Sequence, residues 1–125
     1  MKFYGQISFL STLLTFYSLV VGSCIDLTVS VSSTDGVANT QVVLKEDGNT
    51  KISLSKDITN ENPDYQIFKE KGYELTIYHV EKKWTLSTPK YFSGRRTLTQ
   101  DITYCDDSKE NCWWIYQDSY CFFKN

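Results

Sequence analysis

Apolar and polar residues alternate at every second position along most of this chain, in short runs separated by turn signals. That period is the period of a strand with one buried face, and it is the strongest constraint on the fold. No window after residue 23 carries a sustained apolar period of 3.6 residues, so helices are not expected as the main element.

The runs can be placed one by one. Asp26 to Ser32 sets Leu27, Val29 and Val31 on one face, and Ser32-Ser33-Thr34-Asp35-Gly36 reads as a turn. Thr40 to Lys45 alternates Val42 and Leu44 with Gln41, Val43 and Lys45. Glu46-Asp47-Gly48-Asn49 follows, where Asp-Gly is a strong hairpin signal. Ile52 and Leu54 mark a third strand, residues 59 to 64 break regular structure, and Tyr65 to Phe68 form a fourth strand. After a turn at Lys69-Glu70-Lys71-Gly72, Tyr73, Leu75, Ile77 and His79 share one face of the most regular strand. Glu81-Lys82-Lys83 turns the chain, Trp84 and Leu86 mark a short strand stopped by Pro89, and Ser93-Gly94-Arg95-Arg96 turns it again. Thr97 to Tyr104 then reads as one strand with Leu98, Ile102 and Tyr104 on one face. Seven or eight short strands at this spacing predict a sandwich or barrel, and no helical pattern separates them into parallel βαβ units.

The amino end follows a different rule. Lys2 supplies a positive start, and Ile7 to Gly22 contains no charge. Small residues meet at Gly22 and Ser23, which is the layout of a cleavable secretory signal over residues 1 to 22. The uncharged run of 16 residues is shorter than the roughly 20 that span a bilayer. Cleavage leaves residues 23 to 125 as a single secreted domain, with a net charge of -3 because only Lys2 is lost from a chain of net charge -2. Val21-Gly22-Ser23-Cys24 also resembles a bacterial lipoprotein box, which gives an alternative in which Cys24 is lipidated and anchors the chain to a membrane.

Val29 to Leu44, VSVSSTDGVANTQVVL, and Gly72-Tyr73-Glu74-Leu75-Thr76-Ile77 resemble segments of the carboxypeptidase regulatory-like and transthyretin-like sandwiches. The resemblance covers roughly residues 27 to 87 and implies an accessory or binding module rather than an enzyme.

Cys24, Cys105, Cys112 and Cys121 are four cysteines in a chain with secretory features, and such a set implies two bridges. Cys105 and Cys112 bracket a polar loop, so a bridge between them staples the neck of a hairpin spanning 105 to 125. In transthyretin-like topology the first strand lies parallel to the penultimate one, and this resemblance brings Cys24 to Cys121. Cys24–Cys105 with Cys112–Cys121 stands as the alternative pairing. The even count favours an unlipidated Cys24.

The tail carries six aromatics in residues 113 to 123. On a strand, Trp113, Ile115, Gln117 and Ser119 share one face, and Trp114, Tyr116, Asp118 and Tyr120 share the other. Asp118 marks the second face as the solvated one, so Trp114, Tyr116 and Tyr120 are the expected contacts for a partner protein or a glycan.

Chemistry-bearing patterns are sparse. His79 is the single histidine, it lies in phase with core positions, and no G-x-S-x-G motif accompanies it. The cysteine spacings lack close C-x2-4-C pairs, so no metal or cofactor is expected. With 13 Lys+Arg against 15 Asp+Glu, nucleic-acid binding is not expected. The sequence thus predicts an all-β, antiparallel-rich sandwich, secreted, non-enzymatic, and acting on an extracellular protein or glycan. A small secreted enzyme is the remaining alternative.

Overall fold

A computed structural model describes residues 21–59 and 64–123. The signal peptide expected over residues 1 to 22 lies outside the described residues as far as residue 20. Among the described residues nine strands form: β1 (Val21–Thr34), β2 (Val37–Glu46), β3 (Asn49–Asp57), β4 (Tyr65–Glu70), β5 (Tyr73–Tyr78), β6 (Lys83–Ser87), β7 (Arg96–Thr97), β8 (Thr99–Cys105) and β9 (Cys112–Phe123). They make two sheets, ordered β3-β2-β1-β9-β8 and β4-β5-β6-β7, and every pairing is antiparallel.

Three hairpins share one local device. Asp35-Gly36, Asp47-Gly48 and Lys71-Gly72 all have positive φ at both central residues, from 51° to 84°. Two consecutive left-handed residues twist the backbone to match the flanking strands, and glycine adopts the second conformation without a Cβ clash. The first turn is tighter than Ser32 to Gly36. Ser32, Ser33 and Thr34 remain in β1 because they pair with Asn39, Ala38 and Val37.

The core lies between the sheets and follows the alternation. Ile25, Leu27 and Val29 of β1, Val42 and Leu44 of β2, and Ile52 of β3 meet Phe68, Leu75, Ile77, Trp84 and Leu86 of the smaller sheet. Full burial of side chains of this size is worth about 1.5–3 kcal/mol each.

Residues 97 to 104 do not form the single strand expected of them. Arg96–Thr97 pairs with β6 in one sheet, and Thr99–Cys105 pairs with β9 in the other. The chain changes sheets at Leu98, which is buried at the crossing. A bulge between Gln100 and Ile102 then shifts the register, so sequence parity with Leu98 no longer reports the face.

Both disulfides join residues that face each other directly: Cys24–Cys121 links β1 to β9, and Cys105–Cys112 links β8 to β9. The first and last strands are antiparallel neighbours; β1 runs in the same direction as the penultimate strand β8, but β9 lies between them, so Cys24 meets Cys121 directly across the β1–β9 ladder. The ladder explains why both pairs suit a bridge. The Cys24 N–H and C=O are taken by Asp47 on the β2 side, so toward β9 Cys24 is a non-hydrogen-bonded site. Asp106 N–H donates to the Asn111 carbonyl, which makes the adjacent Cys105/Cys112 pair non-hydrogen-bonded as well. Such pairs bring the backbones closest, and the Cα–Cα separations are 3.9 and 4.0 Å.

Candidate functional site

Strand β9 places its aromatics opposite to the sequence expectation. Tyr116 is 7% exposed and belongs to the core, and Trp114 packs against it. The even-numbered face of β9 points inward, so Trp114 and Tyr116 are not a free platform. Asp118 is what misleads. It is no solvated residue but a buried-side acceptor: its Oδ2 takes the Trp84 indole N–H at 2.9 Å and the Arg96 Nε–H at 2.9 Å. Tyr120 is half-buried; the Arg96 guanidinium lies 3.9 Å from its ring centroid, and Phe122 meets it edge-on.

The exposed aromatics lie on the other face. Trp113 pairs with Tyr104 across β8–β9, with ring centroids 5.4 Å apart, and Ile102 pairs with Ile115 beside them. Ile102 is 50% exposed, Tyr104 60% and Trp113 37%. All seven residues of β8 are exposed. The smaller sheet has four strands against five, and this outermost strand receives no cover from it. A signal for the site exists in the sequence, since Trp113 alternates with the core-facing Trp114. Choosing between the two faces needs the opposite sheet.

The remaining polar clusters hold the two sheets together. At one end Glu46 of β2 accepts from Tyr73 at 2.7 Å and from Tyr91 at 2.5 Å. Burial, then these bonds and the carboxylate charge, push the Tyr73 phenol up to about 12 and raise that of Tyr91. At another end His79 Nε2 meets the Gln66 amide oxygen at 2.8 Å and the Thr40 hydroxyl at 3.5 Å. Burial, then the nearby Lys82 cation, lower the His79 pKa from 6.5. The groups at Nε2 are thus an amide and a fully buried threonine, which hold the imidazole between the two sheets.

A recess of about 300 Å³ between β3 and β4 is lined by Lys56, Asp57, Tyr65 and Gln66 among others. Two of its polar side chains are engaged internally: Gln66 Nε2–H donates to the Asp57 carbonyl at 3.1 Å, and the Lys56 ammonium donates to the Ile67 carbonyl. Among the described residues no three His, Cys, Asp or Glu side chains gather as a metal site, and no helix is long and apolar enough to cross a membrane.

Comparison with family models, with curated proteins and with solved structures finds no match to this chain.

Proposed function

We propose that this chain is a secreted, non-enzymatic binding protein that works through protein–protein contacts at the β8–β9 corner. The observation that carries the reading is the cluster of Ile102 and Tyr104 on the fully exposed strand β8 with Trp113 beside Tyr104 on β9, exposed together on one face of the sheet. Aromatic residues give large contact area at low entropic cost and are enriched at interface centres. Secretion is supported by the signal-like residues 1 to 22 and by two disulfides, which persist in oxidising compartments. Cleavage after Gly22 keeps Cys24 and its bridge. A bridged Cys24 has no free sulfur for an acyl-glyceryl group, which counts against an anchor at that position.

The test is affinity capture from the fluid surrounding the producing cells, with mature protein and with a Tyr104→Ala/Trp113→Ala variant. A protein recovered by the first and lost with the second supports the reading; equal recovery overturns it. Glycan binding is the second reading, favoured by the same Tyr104–Trp113 pair. The rings are inclined by 36°, so they offer one stacking surface rather than a flat double platform. A glycan array with no hit removes this reading.

A further inference from the structure

The free edges of the two sheets are treated unequally. The edge strands β3 and β4 cap each other with side chains. Glu70 accepts from the Ser53 backbone N–H at 2.9 Å, Gln66 donates to the Asp57 carbonyl, and Lys56 donates to the Ile67 carbonyl. Strand β7 is only two residues long. The β8 edge has neither a side-chain cap nor a two-residue length: it runs for seven residues, TQDITYC, without lysine or proline and with Asp101 as its single charge, and its bulge between Gln100 and Ile102 leaves Ile102 to Cys105 in regular register. At about 3.4 Å per residue it is roughly 24 Å long. Edges of this kind are templates for another strand, and natural sheets normally blunt them.

The ladder fixes which backbone groups lie open. Asp106/Asn111 is a hydrogen-bonded pair, so the alternation makes Cys105/Cys112 and Thr103/Trp114 non-hydrogen-bonded pairs. The N–H and C=O groups of Thr103 and Cys105 therefore point away from β9, into the open edge. No side chain among the described residues caps them.

We infer that the β8 edge pairs with the β8 edge of a second copy of this chain, antiparallel about a two-fold axis at Thr103. The inference goes beyond the binding reading above and does not depend on it. In this register Thr103 exchanges both backbone hydrogen bonds with Thr103 of the second copy. Tyr104 lies opposite Ile102 on the outer face, an aromatic–aliphatic pair, and the same pair repeats across the axis. Cys105 lies opposite Asp101, so no two like charges face each other directly. The two five-stranded sheets become one continuous sheet. A single strand-to-strand contact is smaller than the roughly 1,200 Å² of a stable interface, so the dimer is weak and forms between about 10 µM and 1 mM.

Sedimentation velocity of the mature, disulfide-bonded protein tests this across that concentration range, beside Thr103→Pro. Proline removes only an N–H that faces the open edge, and edge strands accept it there. Ile102→Lys, at an exposed position, serves if the proline variant fails to fold. The expected result is a sedimentation coefficient that rises with concentration for the wild type. It stays monomeric for the variants, while the wild-type Thr103 and Cys105 amides become slower to exchange as the dimer forms. A wild type that stays monomeric at 1 mM overturns the inference and leaves the edge to a strand of another chain. Variants that dimerise like the wild type overturn it too. Partner capture by a strictly monomeric protein defeats this inference alone, and a dimer that captures nothing defeats the binding reading alone.

Discussion

Asp118 on β9 accepts the indole N–H of Trp84 on β6, Oδ2 to Nε1 at 2.9 Å, across the interface between the two sheets. Trp84 is fully buried, and Arg96 completes the carboxylate's hydrogen bonds from β7. One side chain therefore satisfies the largest core residue and ties three strands together.

Asp118→Ala leaves the indole N–H without an acceptor and the guanidinium without its anion. The expected loss is about 2–3 kcal/mol, the cost of an unsatisfied buried donor together with a lost charge-assisted bond. Asp118→Asn keeps an acceptor for Trp84 and is expected to lose about half as much. Urea unfolding of the three proteins checks the order. Equal losses for alanine and asparagine would show that the Trp84 bond contributes nothing of its own.

The two disulfides differ in the chain length they close. Cys24–Cys121 spans 97 residues and Cys105–Cys112 spans 7. On the chain-entropy account the longer loop is worth about 4.7 kcal/mol and the shorter about 2.5 kcal/mol. Paired Cys→Ser replacements at 24 and 121 should thus lower the melting temperature more than those at 105 and 112. The reverse order would mean that the hairpin staple carries more than loop entropy.

Protonation of His79 is linked to folding. Its folded pKa lies below the unfolded value of 6.5, chiefly through burial and then through Lys82. The unfolded chain takes up the proton first as pH falls. This contribution to stability is therefore intact above 6.5 and is lost as pH falls through the folded pKa. His79→Gln keeps a polar side chain that does not titrate, and its urea midpoint should vary less between about pH 7 and 5. Identical pH profiles for the two proteins would break the link.

The Glu46 clasp predicts the behaviour at the alkaline end. Tyr73 is raised from 10.0 to about 12 and Tyr91 is raised as well, by burial and by their bonds to Glu46. Unfolded tyrosines lose their protons first, so stability is full below pH 10 and falls as pH rises through the folded values. Tyrosinate absorbance should show two late-titrating groups in the wild type. Glu46→Gln removes the charge, and both groups should then titrate earlier. An unchanged titration curve would assign the shifts to burial alone.

Much of the fold is legible in the chain because it rests on local rules. Asp47-Gly48 and Lys71-Gly72 can be read as turns, since Gly48 and Gly72 adopt the left-handed backbone without a Cβ clash and polar residues precede them. The inward faces of β1, β2 and β5 can be read from strict alternation, since a strand with one buried face permits only one phase. The candidate site is legible only in part. Alternation separates Trp113 from Trp114 but does not say which faces the core. Asp118, read as a mark of solvent, is an inward acceptor for Trp84. Ile102 and Tyr104 keep apparent phase with Leu98, yet a sheet crossing and a bulge intervene.

The sequence by itself determined the strand period and the places of three hairpin turns, because each depends on residues near one another in the chain, and it left two disulfide pairings open. Only the tertiary structure decided which face of β9 is buried, and that β1 and β9 run antiparallel so that Cys24 meets Cys121. It also decided that β8 lies at an uncapped edge. The face of β9 and the exposure of β8 depend on the opposing sheet: Trp84 supplies the donor that draws Asp118 inward, and a second sheet one strand narrower than the first leaves β8 uncovered, while the meeting of Cys24 and Cys121 depends on strand pairing between the two ends of the chain. A period of two has two equivalent phases, and only packing against another layer distinguishes them.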